Sequence, residues 1–370
     1  KHMFEPHQNP KVLKALQEVY ESKDWWKYKG HRANLLEQHF AEFHDSNFAV
    51  SICNGTLALD VIFKTIGLKE GDEVILPAYD FYSLPKSVMN FGAKPVFADV
   101  NPNNFTLDSK NITAKIGPKT KAIIAVHIDG SVAELDAIAK IASDHKLIFI
   151  EDCAQAHGAI YKNKKVGSFG DFSLFSFGGV KLITTGQGGI ILCKKEEDYQ
   201  KCYAICNRGL LLNKEMNPFG IIGENYQLSE IQSAMALAQL SELDELGKQR
   251  ESAMNYLDRE LTKIEGIEIF QAFEGTKRRA QMRYSFKVKR SIRESLLQYL
   301  NEKGLPVLKG YKFIGGEERL QGAFKTQEEF PFSNMAENSI LSVFHPFLLK
   351  PEIELQKLVD GIKDYFETEK

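Results

Sequence analysis

The chain has no apolar run close to the ~20 residues that a membrane-spanning helix needs. No secretory leader is visible, and Lys1-His2-Met3 reads as a tag remnant ahead of the native start. Neither sign of charge dominates: 47 Lys and Arg stand against 49 Asp and Glu, for a net charge of −2 and a pI near 6.6. That balance argues against nucleic acid or an anionic membrane as the main partner. Cysteine is sparse and odd in number (Cys53, Cys153, Cys193, Cys202, Cys206), without metal-ligand spacing. Cys202 and Cys206 are four apart and suit one helix face, but no second pair accompanies them. Neither a metal site nor a disulfide framework is expected, and the reading is a reducing, cytoplasmic compartment with free thiols. Internal repeats, low-complexity segments and a helix-turn-helix extension are also missing.

What is present is an ordinary globular composition, with 43% hydrophobic and 26% charged residues. At 370 residues the chain exceeds what one core holds, so two domains are expected, 4–250 and 251–370. Phe48–Cys53, Glu73–Ala78, Pro95–Val100, Ala122–His127 and Leu147–Asp152 are near-continuous apolar runs of strand length. Such runs suit a parallel sheet buried on both faces. Helical spacing intervenes, most clearly at Val132, Leu135, Ile138, Ala139 and Ala142. The alternation predicts an α/β layered domain. Phe172–Phe177 and Gly189–Cys193 add two strands joined by a glycine-rich turn. Ser229 with Gln232 predicts a capping box opening one long helix, striped by Ile231, Ala234, Leu237, Leu240 and Leu243 and leaving the first domain near residue 250. The remainder, with a strand at Tyr284–Val288 and helices at Ile292–Lys303 and Glu352–Phe366, predicts a smaller α+β domain. Glu274–Gln281 is expected as an exposed loop, and Lys162, Lys164 and Lys165 as a solvated hairpin tip.

Three features carry chemistry. Asn54-Gly55-Thr56 lies between a strand and the helical pattern Leu57–Ile66, where free N–H groups and the helix dipole hold a phosphate. A strand-glycine-helix turn is also often only a turn. Glu151-Asp152 closes an apolar strand at the carboxyl edge, where α/β sheets bind ligands. A carboxylate there needs a cation such as a protonated pyridine, and a helix cap is the plainer alternative. Ser176-Phe177-Gly178-Gly179-Val180-Lys181 puts a lysine in a tight, backbone-rich turn, where desolvation frees its amine for Schiff-base chemistry. Together, a phosphate cradle, a buried acid and a pocketed lysine are the anchors that pyridoxal 5'-phosphate requires.

From about Trp25 to Gln232, and more loosely to His345, the chain resembles the DegT/DnrJ/EryC1/StrS sugar aminotransferases. The resemblance rests on Asn54-Gly55-Thr56-Leu57-Ala58-Leu59, Gly71–Ala78, Pro95–Val100, Glu151–Ala159, Gly167–Asp171 and Phe175-Ser176-Phe177 leading to Lys181. It implies an aspartate-aminotransferase-like fold with a mostly parallel seven-stranded sheet and a smaller C-terminal α+β domain. It also implies roles: Lys181 as Schiff-base lysine and proton carrier, and Asp152 on the pyridine nitrogen. Gln155 would contact the ring or its phenolic oxygen, and Phe81 would stack on it. Gly55, Thr56 and Ser176 would hold the phosphate, with Asn225 reaching the phosphate of a second subunit in a homodimer. Three positions depart from the family pattern: Asp80 where threonine is common, Asp129 where an aromatic residue is common, and Gln227 where arginine is usual. The proline- and histidine-rich loop usual after Gly304-Leu305-Pro306 is not evident. Trp25-Trp26-Lys27-Tyr28 is similar to members acting on cyclitol ketones, or is an aromatic cluster at a dimer interface. Lys277, Arg278, Arg279 and Arg283 either meet a nucleotide diphosphate or form a solvated loop.

The implied activity is transamination, from glutamate or glutamine to a keto-sugar or cyclitol ketone by a ping-pong route. A dehydratase relative would carry histidine in place of Lys181. A specialised lyase, or a cofactor-binding protein without turnover, is the remaining alternative.

Overall fold

The computed structural model describes residues 7–213, 215–314 and 328–368. In chain order come α1 (Pro10–Ser22), α2 (Arg32–Phe43), β1 (Phe48–Ile52), α3 (Gly55–Thr65), β2 (Glu73–Pro77), α4 (Ser83–Asn90) and β3 (Lys94–Ala98). Next are α5 (Ser109–Ile112), β4 (Thr120–Val126), α6 (Leu135–Asp144), β5 (Ile148–Asp152), the hairpin β6 (Ile160–Tyr161) and β7 (Lys164–Lys165), β8 (Phe172–Ser176), β9 (Gly189–Cys193) and α7 (Glu196–Cys206). Then α8 (Glu230–Leu240) and α9 (Leu243–Leu261) lead to β10 (Ile267–Ile269), β11 (Thr276–Lys277) and β12 (Arg283–Val288). The chain finishes with α10 (Arg293–Glu302), β13 (Val307–Lys309), α11 (Pro331–Ser339), β14 (Ile340–Phe344) and α12 (Glu352–Thr368).

The seven expected strands form one sheet in the order β1-β9-β8-β5-β4-β2-β3. Every neighbouring pair from β8 to β3 is parallel, while β9 runs antiparallel to both β1 and β8. Because side chains alternate along a strand, each strand feeds two cores. Ile75, Ile123, Phe149, Phe175 and Ile190 pack on one face, and Leu76, Ile124, Ile150, Leu174 and Ile191 on the other. Burial on both faces is why these strands read as unbroken apolar runs. A second sheet, β10-β12-β14-β13, builds a separate core with α9, α10 and α12, centred on Tyr284, Phe286, Leu341 and Val343.

Two expectations need correction. The capping box at Ser229 and Gln232 is present, but the helix is not continuous. It ends at Leu240, and α9 restarts at Leu243 beyond Ser241-Glu242. The single stripe therefore fails: Leu240 and Leu243 are buried, while Ile231 is 39% exposed. Nor is Glu274–Gln281 a free loop. Thr276–Lys277 pairs with Tyr161 and Ile160, and Ala280 and Gln281 are buried. Arg278 and Arg279 reach back to Asp258 and Glu251 on α9, while Glu274, Gly275 and Lys277 are exposed as expected. All five cysteines are free thiols, and among the described residues no helix is long and apolar enough to cross a membrane.

Candidate active site

The parallel strands β2, β4, β5 and β8 end on one edge of the large sheet, where ligands of open α/β sheets bind. The residues just past their ends converge there: Asp80 after β2, Asp129 after β4, Asp152 at the last position of β5, and Ser176 at the last position of β8. The N-terminus of α3 enters from the side. A cavity of about 380 Å³ opens between them, lined by Gly55, Thr56, Phe81, Asp152, Gln155, Ser176 and Lys181 among others. Seven of the eight residues marked in the sequence thus share one space. Asn225 does not line it; it is exposed and forms a backbone bridge with Asn207.

Local geometry explains each placement. Asn54 is the N-cap of α3, its Oδ1 accepting from Thr56 N at 2.8 Å. Gly55 has no space for a side chain: a Cβ there would lie 2.7 Å from Ser176 Cβ and 2.8 Å from its Oγ. Helix terminus and serine therefore meet at contact distance, leaving an anion cradle between them. Ser176 Oγ accepts from Gly178 N at 3.3 Å, and Lys181 N donates to Gly178 O at 3.0 Å, closing the turn that carries the lysine.

The two acids of Glu151-Asp152 point opposite ways, as strand alternation requires. Glu151 is structural. It is fully buried and accepts from the N–H groups of Gly167, Phe169 and Gly170 at 2.7–2.8 Å, with His127 Nε2 at 3.3 Å. Asp152 faces the cavity, fixed by Ala154 N at 3.0 Å. Burial pushes its proton affinity up, and the Ala154 N–H and Lys181 pull it back. Burial pushes the Lys181 amine down from its ordinary value, against the pull of Asp152. A lysine so placed gives up its proton more readily than one in water.

Gln155 Oε1 accepts from Asp129 N at 2.7 Å and from Tyr311 OH at 3.1 Å. With the oxygen spent twice, its amide N–H groups remain for a ligand acceptor. Phe81 is 46% exposed at the cavity mouth and tilts against Tyr82. Asp80 is buried, and among the described residues its Oδ1 has no hydrogen-bond partner. Burial, reinforced by the charge of Asp152, raises its proton affinity well above the carboxylate range. His157, behind Ser176, contacts the Ser176 carbonyl through Nε2 at 3.0 Å, and burial drops its pKa to about 3.

An anion cradle too tight for a Cβ, a half-buried carboxylate with no cation in hydrogen-bond range among the described residues, and a desolvated lysine fit the phosphate, the pyridine nitrogen and the aldehyde carbon of pyridoxal 5'-phosphate. The profile of the DegT/DnrJ/EryC1/StrS aminotransferase family matches residues 6–362. The chain belongs to this family. It is a pyridoxal-phosphate-dependent aminotransferase. GDP-perosamine synthase of Escherichia coli O157:H7 is 35% identical over 255 residues, 69% of this chain and 70% of that one. The 3-amino-5-hydroxybenzoate synthase of Amycolatopsis mediterranei is 31% identical over 305 residues, 81% of this chain and 79% of its own. A crystal structure of 3-amino-5-hydroxybenzoic acid synthase superposes with a TM-score of 0.91 at 28% identity, over 98% of both chains.

Three further residues that the sequence did not assign to the cofactor site line the cavity: Tyr311, Gln187 and Arg283. Tyr311 carries no local signal, because only the long-range fold brings it to the cavity, whereas Gln187 lies in the glycine-rich turn just past Lys181. Arg283 was grouped with Lys277, Arg278 and Arg279, but it alone of the four lines the cavity. Its position at the start of β12, beside the strand expected at Tyr284–Val288, was the available clue.

Proposed function

We propose that this aminotransferase moves an amino group from glutamate or glutamine to the ketone of a nucleotide-linked sugar or a cyclitol. The reading is carried by one observation: Lys181, Asp152 and the α3 terminus open onto a single cavity. Gly55, Thr56 and Ser176 would hold the cofactor phosphate, Phe81 would cover a ring face, and Gln155 would donate to the phenolic oxygen. Asp152 would keep the ring nitrogen protonated, its carboxylate aimed by the Ala154 N–H. When bound, the cofactor supplies an electron sink for the carbon that loses its proton. Lys181 Nζ takes that proton as a base and returns it as an acid; its burial matches the amine to both tasks.

The names of relatives support the reading: a GDP-perosamine synthase, a 3-amino-5-hydroxybenzoate synthase and an L-glutamine:2-deoxy-scyllo-inosose aminotransferase. Asn225, exposed and outside its own cavity, is suited to the neighbouring subunit's phosphate, in keeping with a homodimer of shared sites. A division into 4–250 and 251–370 accords with the separate cores of the two sheets. The test is a panel of ketones, nucleotide-linked 4-keto-6-deoxysugars beside free inososes, with glutamate or glutamine as donor and product amine measured by mass spectrometry. Amination of one class fixes the acceptor. Keto-acid release without amination of either class rejects the sugar and cyclitol assignment.

A further inference from the structure

Among the described residues that line the cavity, the cofactor reading leaves one cation, Arg283, unused. Arg283 stands at the first position of β12, with its side chain 13% exposed. Its guanidinium is clamped between aromatic faces, 4.4 Å from the Tyr311 ring centre and 4.7 Å from that of Phe344. Asp129 Oδ1 lies 3.5 Å from Nε, yet both atoms are buried without a hydrogen-bond partner. Asp129 itself is fixed: Oδ2 accepts from Ser285 Oγ at 2.8 Å, its N–H donates to Gln155, and its backbone sits at φ 56. It steers one edge of the guanidinium by charge and leaves the donor fork unspent. Among the described residues, no hydrogen bond from Arg283 is formed.

A desolvated guanidinium with free donors is unfavourable until an acceptor arrives. Its planar fork matches a carboxylate in bidentate geometry. The acids nearby do not fill that role. Asp152 is aimed elsewhere by Ala154, and burial holds Asp80 toward its neutral form. Lys181 lines the same cavity, so a carboxylate on Arg283 would lie near the amine chemistry. An amino-acid donor carries its carboxylate one bond from the reacting carbon. Gln227 is engaged with Asn207 and brings no cation for the same role.

We propose that Arg283 binds the carboxylate of the amino-acid donor, held in position by Asp129, Tyr311 and Phe344. The inference rests on the aminotransferase reading and adds the residue that selects amino acids as donors. The experiment uses the wild-type holoenzyme with Arg283→Gln and Arg283→Lys. Visible absorbance follows the donor half-reaction at increasing glutamate, and calorimetry measures binding of glutarate, a dicarboxylate that cannot react. In Arg283→Gln the half-saturating glutamate should rise roughly 10- to 100-fold, the loss expected for a charged hydrogen-bonded pair. The limiting rate should change far less, Arg283→Lys should recover part of the loss, glutarate binding should vanish, and cofactor affinity should hold. Unchanged glutamate half-saturation in Arg283→Gln overturns the proposal. So does an effect confined to the acceptor half-reaction, which would assign the carboxylate to the ketone substrate. If wild type reacts with no amino acid, the aminotransferase reading fails on its own. Glutarate binding then decides Arg283 separately: equal binding in wild type and Arg283→Gln rejects it as a carboxylate site, and loss in the variant upholds it.

Discussion

Replacing Gly55 with alanine tests the phosphate cradle with a single methyl group. The added Cβ would lie 2.7 Å from Ser176 Cβ, 2.8 Å from Ser176 Oγ and 3.2 Å from Ser176 Cα. Gly55 is the first residue of α3 and has no left-handed backbone, so the helix itself accepts alanine. The contact with Ser176 does not. Ser176 is paired into β8 between Phe175 and the turn to Lys181, and its Cα has no freedom to retreat. Overpacking of this kind costs about 1–3 kcal/mol. If Ser176 Oγ rotates away instead, Gly178 N loses its acceptor and the phosphate loses a donor. A hydrogen bond to a charged group is worth about 1.5–3 kcal/mol, which converts to roughly 10- to 100-fold in affinity. Pyridoxal 5'-phosphate affinity from absorbance titration should therefore fall by that factor, with a lowered melting temperature without cofactor. Cofactor affinity equal to wild type would refute the cradle as drawn.

Asp80→Asn removes a buried carboxyl whose folded proton affinity exceeds its unfolded value. The parent is favoured in acid and loses that contribution as pH rises through the folded value. The variant should thus exceed the parent by about 1 kcal/mol or more near pH 8, converging near pH 4, by urea unfolding; a variant less stable at the higher pH would contradict this. His157 behaves oppositely, because burial drops its folded pKa to about 3 from an ordinary value of 6.5. Its contribution is complete above that ordinary value and is lost as pH falls toward the folded one. His157→Asn keeps a donor for the Ser176 carbonyl, so it should lose less unfolding free energy than the parent between about pH 7 and 5. An equal or steeper loss would argue against a neutral buried imidazole.

Local pattern made the large sheet legible. Seven apolar runs became its seven strands because two-sided burial writes itself into consecutive residues. The cradle, acid and lysine were also legible, since each depends on a short segment at a strand end. Where function depends on residues far apart, the signal faded. Glu151 and Asp152 looked alike in sequence, and only strand alternation sends one to a ring of backbone N–H groups and the other to the cavity. Arg283 and Arg278 also looked alike. β12 turns the first toward the cavity, while Asp258 captures the second. Tyr311 was invisible because its place depends on the second sheet packing beside the first, through Tyr79 OH accepting from Tyr311 N at 2.8 Å. The break between α8 and α9 was missed because Leu240 and Leu243 keep a plausible helical spacing across it.

The central claim is that Lys181 joins the cofactor and carries the proton in transamination. The most direct measurement is the visible spectrum of wild type and Lys181→Ala, each reconstituted with pyridoxal 5'-phosphate and then mixed with glutamate or glutamine. Wild type should show the lysine-bound band, lose it on donor addition and release the matching keto acid. Lys181→Ala should lack that band and release no keto acid. A variant that still converts the donor, or a wild type whose band no donor alters, would contradict the account.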